Sequence, residues 1–332
     1  MDSRLAALER WLAPQFQGAQ FTLAPASADA SFRRYFRAQL GDGRSFVAMD
    51  APPAQEDCAP FVRVARLLRQ AGVHAPEVLA EDLAQGFLLL SDLGSTSYLE
   101  ALTADNAAAL FQDATDALLR WQLATRAGEL PPYDEALLRR EMALFPEWYV
   151  GRHLGLRLSA AQQASLEGTF ALLVRSALAQ PAVYVHRDYM PRNLMLAEPN
   201  PGVLDFQDAV EGPITYDVVS LLRDAFISWD EERVLDWTAR YWEQAKKARL
   251  PVAPDFSEFW RALEWMGLQR HLKVLGIFAR LGYRDGKPKY VEDTARFLRY
   301  ARAVAERYAA LAPLARLLDE LEGRGKRTVV TF

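Results

Sequence analysis

Within one ten-residue stretch, His186, Arg187 and Asp188 are followed, after four intervening residues, by Asn193. A single loop thus offers a carboxylate and, a few positions on, a carboxamide oxygen. Phosphoryl transfer needs such a pair: a carboxylate beside the attacking hydroxyl to receive its proton, and an oxygen ligand for a magnesium ion close by. The four intervening residues let one loop present both groups.

The surrounding residues extend the reading. The string matches the H-R-D-x-x-x-x-N catalytic loop of kinases, with Asp188 as catalytic base. Leu194-Met195-Leu196 continues as a strand, the turn Glu198-Pro199-Asn200-Pro201-Gly202 reverses it, and Val203-Leu204-Asp205-Phe206 returns. Asp205-Phe206 resembles the D-F-G metal site, so Asn193 and Asp205 form a hard oxygen pair suited to Mg²⁺ on nucleotide phosphates. His186 is expected to be scaffold, as are the isolated His74, His153 and His271. Gln207 stands where D-F-G has glycine, and only Gln207 to Thr215 precede a helix containing Asp217. That leaves no room for a long activation segment or an A-P-E element, which argues against a protein kinase. The pattern resembles instead the aminoglycoside phosphotransferase and choline kinase superfamily. In that resemblance Asp217 braces the backbone of the catalytic loop.

These groups need elements to hold them. A helix over Met1–Leu12 precedes expected strands at Phe21–Ala24, Arg34–Leu40 and Arg44–Met49, the last two joined by the hairpin turn Gly41-Asp42-Gly43. Glu56–Ala71 has helical periodicity, with Phe61, Val64, Leu67 and Leu68 on one face, and strands follow at Val78–Glu81 and Gly86–Ser91. Beyond Asp92-Leu93-Gly94 helices dominate: 104–125, 133–153, 159–179, 216–229, 231–248, 256–281 and 289–311, interrupted by a β-rich island over Tyr184–Asp205. The expected fold is α+β and two-lobed, protein-kinase-like, with a small antiparallel β-rich N-lobe over residues 1–91 and a larger helical C-lobe over 92–332.

In such a fold the N-lobe binds ATP. The loop Ser27 to Tyr35 sits where a kinase places its phosphate loop but is poor in glycine, so Ser31, Arg33 and Arg34 are the candidate phosphate grips. The third strand ends in Met49-Asp50, where kinases carry a phosphate-binding lysine. Arg33, Arg34 or a greater share for magnesium would have to make up that charge. Leu90 and Asp92 mark a hinge whose backbone would pair with adenine. No G-x-x-x-x-G-K-[ST] string occurs, which excludes a P-loop NTPase.

A narrower resemblance lies in the strings SFRRYFR, VAMDAPP, LLLSDLG, FPEWY, HRDYMPRNLM and GVLDFQDAVEGPITYDVVSLLRDAFISW. Together they are similar to the bacterial N-acetylmuramate/N-acetylglucosamine anomeric kinases. The resemblance implies ATP-dependent phosphorylation of a C1 sugar hydroxyl in peptidoglycan recycling, with Mg²⁺ as cofactor. Glu147, Trp148 and Tyr149 then become candidates for sugar hydroxyls and a ring face, although aromatics at helical spacing also build cores. Arg192 is a candidate for the lactyl carboxylate of N-acetylmuramate or for phosphate, and Asp208, Arg223 and Trp229 are further sugar candidates. Another small-molecule kinase of the superfamily, acting on choline, homoserine or an aminoglycoside, is the alternative; a non-catalytic nucleotide-binding regulator is the reading from a different class.

Composition bounds the setting. The 332 residues carry 39 Lys and Arg against 43 Asp and Glu, a formal charge of −4 that argues against nucleic acid as the main partner. Cys58 is the only cysteine, so neither an intrachain disulfide nor a cysteine zinc cluster can form. The N-terminal stretch lacks the apolar core of a signal peptide, and the apolar segment Phe170–Ala179 is broken by Arg175. The expectation is a cytoplasmic monomer that meets ATP and a small amino sugar, with no membrane.

Overall fold

The computed structural model describes residues 2–27 and 32–323. Its chain divides into two compact units: Met1–Ala124 with Pro191–Ala209, and Thr125–Met190 with Val210–Phe332.

The first unit opens with α1 (Ser3–Gln15), capped by Asp2, whose carboxylate accepts the N–H groups of Arg4 and Leu5. Then come β1 (Phe21–Ser27), β2 (Arg34–Leu40), β3 (Ser45–Asp50), α2 (Ala59–Gln70), β4 (Val78–Asp82) and β5 (Phe87–Ser91). The strands make one antiparallel sheet in the order β1-β2-β3-β5-β4. Successive side chains leave a strand on opposite faces. On one face Ala38, Leu40, Ala48, Phe87 and Leu89 pack under Leu8 and Leu12 of α1 and Phe16 just after it. Leu8 and Leu12 are fully buried, a gain of about 1.5–3 kcal/mol each. Glycine is required at 86, where φ is +73° and a Cβ would lie 1.8 Å from the Ala51 carbonyl oxygen.

The same unit contains α3 (Tyr98–Ala101) and α4 (Ala107–Leu123). A hairpin, whose strands we label β7 (Leu194–Met195) and β8 (Gly202–Val203) in chain order, completes it. Its turn is tied down by Asn200, which donates to Tyr98 at 2.8 Å and to Asp113 at 2.7 Å, and by His74, which donates to the Pro199 carbonyl at 2.6 Å.

The second unit contains α5 (Glu135–Met142), a π-helical segment (Phe145–His153), α6 (Ala160–Leu178), β6 (Ala182–Val185) and its antiparallel partner β9 (Val210–Pro213). It continues with α7 (Tyr216–Leu222), α8 (Glu231–Lys247), α9 (Phe256–Tyr283), α10 (Lys289–Glu292), α11 (Thr294–Arg307) and α12 (Ala312–Leu321). The 28-residue α9 is the central post, buried over most of its length between Phe259 and Ala279. Three helices expected as single pieces are shorter or broken. The stretch 133–153 yields α5 and then the wide-turn segment, because Pro146 has no N–H to continue the ladder. α7 stops at Leu222, and Asp224 then accepts the amides of Phe226 and Ile227 in a turn. The stretch 289–311 divides into α10, α11 and a short 3₁₀ turn. Among the described residues no helix is long and apolar enough to cross a membrane.

Candidate active site

The sheet face opposite α1 borders a cavity of about 290 Å³ within the first unit. Val47, Leu90 and Leu204 supply apolar walls suited to a flat ring system, while Asp92, Asn193 and Asp205 supply polar ones. Period-two alternation explains which strand residues arrive there. Tyr35 and Arg37 of β2 and Val47 of β3 line the cavity, and Met49, two residues after Val47, shares its face and is fully buried. Met49 therefore occupies the position from which a lysine would reach phosphate, and α2 carries no acidic residue to pair with one.

Asp50 and Arg34 point to the other face. Asp50, fully buried, receives Arg4 Nε at 2.8 Å and Arg34 Nε at 3.0 Å, and Arg34 also pairs with Asp2. Neither Arg33 nor Arg34 is among the described residues that line the cavity; the cations that do are Arg37 and Arg192. Arg37 grips Asp92 through Nε at 2.7 Å and Nη2 at 3.1 Å, and donates to the Gly94 carbonyl at 2.7 Å. Ser45 and the Gly94 amide also donate to Asp92. Burial works against the Asp92 charge, but Arg37 and Ser45 outweigh it and hold the carboxyl below the usual range. The segment around Asp92, expected to be a hinge, is thus fastened to β2. Ser31 lies outside the described residues.

At the polar end Asn193 Nδ2 approaches Asp205 Oδ2 at 3.4 Å, bringing the two expected metal ligands together. Phe206, fully buried, packs on Phe61 of α2 with centroids 4.8 Å apart, which anchors the backbone carrying Asp205. Asp205 has φ +61°, a left-handed conformation that aspartate tolerates better than most residues. Gln207, at the glycine position of D-F-G, donates to Asp205 at 2.9 Å, and its own Oε1 is buried without a hydrogen-bond partner. One carboxylate and one carboxamide suit Mg²⁺, which keeps few protein ligands and completes its shell with water and phosphate oxygens. Among the described residues no cluster of three or more His, Cys, Asp or Glu makes a metal cage. The donor set therefore fits Mg²⁺ with phosphates better than a zinc-type site.

Asp188 belongs to the second unit, on the loop after β6. Asp217, fully buried at the start of α7, accepts the N–H of His186 at 2.6 Å and of Arg187 at 3.0 Å. Burial pushes its carboxyl up to about 7, against those two donors. His186 Nδ1 in turn accepts the Asp188 N–H at 3.3 Å, so the imidazole holds backbone rather than substrate. Arg187 has φ +76°, unusual for a long side chain, and its guanidinium pairs with Glu141 of α5. Burial opposes the charge of Glu141, yet Lys273 and Arg187 overcome it and bring its carboxyl down to about 2.

Of the candidate sugar residues, Glu147, Trp148 and Tyr149 lie on the π-helical segment. Tyr149 is a core residue, stacked on Phe145 at 5.5 Å and set against His153 at 5.2 Å, and burial pushes its hydroxyl up to about 12. Glu147 is exposed and Trp148 half-buried. Arg192 stands on the wall of the cavity, and Asp208 is exposed beside Gln207, both in the first unit. Arg223 stacks on Tyr300 at 5.4 Å, and Trp229 packs edge-on to Trp237 at 5.3 Å. Sequence reasoning missed Arg37, Glu141 and Lys273; a lysine inside the apolar pattern of α9 was the one available signal.

Residues 22–254 match the phosphotransferase enzyme family, APH. Over 299 residues the chain is 60% identical to an N-acetylmuramate/N-acetylglucosamine kinase of Pseudomonas aeruginosa, covering 90% of this chain and 88% of that one. It is 52% identical over 320 residues to a protein of the same name from Neisseria meningitidis, covering 95% of each. Among solved structures, a choline/ethanolamine kinase family protein from Mesorhizobium loti superposes with a TM-score of 0.63 at 16% identity, over 96% of this chain and 99% of that one. The kinase-like α+β fold follows from these likenesses.

Proposed function

The chain belongs to the phosphotransferase enzyme family, and on that premise we propose that it transfers a phosphoryl group from ATP to the C1 hydroxyl of N-acetylmuramate and N-acetylglucosamine. The reading is carried by near-full-length identity of 52–60% to kinases named for these two sugars. The intact set Asp188, Asn193 and Asp205 is consistent with catalysis. The N-terminal 91 residues and the β7–β8 hairpin serve the nucleotide, and the helical remainder serves the sugar. Adenine lies between Val47 and Leu204, against the backbone of the Leu90–Asp92 hinge. Asn193 and Asp205 hold Mg²⁺, which supplies the charge neutralisation that phosphoryl transfer needs. Arg192, on the cavity wall, meets phosphate and takes over from the absent lysine.

Asp188 receives the proton of the attacking hydroxyl. An anomeric hydroxyl is more acidic than an ordinary alcohol, so a carboxylate suffices as base. Such a base contributes about 10²–10⁴-fold, while alignment and charge stabilisation supply the rest. Glu147 and Trp148 are the outward members of their cluster and the better placed for a sugar; Asp208 is the polar candidate beside the metal ligands. The products are sugar 1-phosphates, returned to cell-wall synthesis by peptidoglycan recycling, and the enzyme works as a cytoplasmic monomer.

Incubation with ATP, Mg²⁺ and a panel of N-acetylmuramate, N-acetylglucosamine, choline and an aminoglycoside tests this, with phosphorus NMR of the product. Phosphate on C1 of the amino sugars is expected. Phosphate on any other hydroxyl, or transfer only to choline or the aminoglycoside, would discard the anomeric reading and keep the family.

A further inference from the structure

Glu141 does not line the cavity of the first unit, and it sits at the centre of a buried polar cluster in the second unit. Its carboxylate takes Arg187 on Oε1, Lys273 Nζ at 3.0 Å and the Tyr133 hydroxyl on Oε2, with Gln269 Nε2 at 3.4 Å. Lys273 also donates to the Tyr216 hydroxyl at 3.0 Å, one residue before Asp217. Arg187 stacks over the Tyr133 ring at 5.9 Å. The residue preceding Asp188 is therefore clamped twice: its N–H by Asp217, its guanidinium by Glu141. A left-handed backbone at an arginine is costly and persists only where its surroundings over-determine it. Releasing either clamp lets that peptide relax, and the Asp188 carboxylate moves with it.

We propose that Glu141 is a positioning residue, a built-in counter-anion that holds Arg187 and, through it, the catalytic-loop backbone at Asp188. The inference rests on Asp188 being the base. It also bears on regulation. Kinases switched by phosphorylation order their activation loops through pairs between arginine and the phosphorylated residue. Here only nine residues, Gln207 to Thr215, separate Asp205-Phe206 from α7, and the anion is an encoded carboxylate on α5. The loop is set permanently and needs no modification to become active. The cluster also places two cations, Arg187 and Lys273, against one carboxylate, leaving positive charge beside Asp188.

The test compares Glu141→Gln, Arg187→Met, their double variant and Asp188→Asn, all in the full chain, for kcat, KM of ATP and sugar, and melting temperature. For Glu141→Gln and Arg187→Met we expect kcat to fall roughly 10²-fold, the size of a small misplacement of a reacting group, with KM for ATP within about twofold. The double variant should be no slower than the worse single one, because both substitutions break the same Glu141–Arg187 pair, and Lys273 loses its carboxylate in Glu141→Gln and in the double variant alike. A merely structural role would lower the melting temperature and spare kcat well below it. Wild-type kcat in Arg187→Met overturns the inference even if Glu141→Gln fails to fold. If Asp188→Asn is inactive while the other variants turn over normally, only the positioning role is lost; if Asp188→Asn turns over, the base assignment fails first.

Discussion

Arg34 and Arg37 lie three residues apart on β2, so their side chains leave the strand on opposite faces. One is spent on Asp50 and Asp2, the other fastens the hinge at Asp92. Arg192 also stands on the cavity wall, with Asn193 and Asp205. Charge-assisted hydrogen bonds contribute about 1.5–3 kcal/mol, so Arg192→Met should raise KM for ATP about 10- to 100-fold. A rise confined to KM for the sugar would show that Arg192 faces the acceptor instead. Arg34→Met should leave KM for ATP unchanged and lower stability by about 1–3 kcal/mol, because Asp50 keeps Arg4 but loses a second donor. Chemical denaturation of Arg34→Met beside its steady-state kinetics separates the two effects.

Elements were legible where their signals are local. The alternation of β2 and β3 and the Gly41-Asp42-Gly43 turn place the second hairpin within a residue of where it forms. The loop proposed as catalytic stands out in the sequence because Asp188 and Asn193 belong to one short string. Which strand face borders the cavity is not readable, since period two separates Arg34 from Arg37 without saying which face lies inward. Glu141 was equally hidden: its charged partners, Arg187 and Lys273, come from the loop after β6 and from α9, far along the chain. The break of the 133–153 helix has a tertiary correlate. Gly276 of α9 passes so close to the chain preceding the π-helical segment that a Cβ would lie 2.4 Å from the Leu144 carbonyl carbon and 2.5 Å from its oxygen. That neighbour is backbone and cannot swing aside. Gly276→Ala should therefore cost about 1–3 kcal/mol as an overpacked site, despite the better helix propensity of alanine. Urea unfolding reads it out, and an unchanged or raised midpoint would mean that α9 and Leu144 can separate freely.

At the scale of the molecule, two buried carboxyls around the catalytic loop should shape how stability depends on pH, and in opposite senses. Glu141 is depressed from 4.5 to about 2. Folding then favours its ionised form, a contribution present above the unfolded value near 4.5 and lost as pH falls towards 2. Asp217 is raised by burial from 3.8 to about 7. Folding favours its protonated form, a contribution complete below about 3.8 and lost as pH climbs to 7. Each group alone gives a slope of at most about 1.4 kcal/mol per pH unit in its own window. Melting temperatures from pH 3 to 8, at roughly unit steps, should show Glu141→Gln flattening the acid limb and Asp217→Asn flattening the rise in cost between about 4 and 7. Should Asp217→Asn leave the neutral limb unchanged, the carboxylate is ionised in the fold, held by the His186 and Arg187 amides that it accepts. The brace on the catalytic loop would then be charged at every working pH, like the clamp that Glu141 makes on the same arginine.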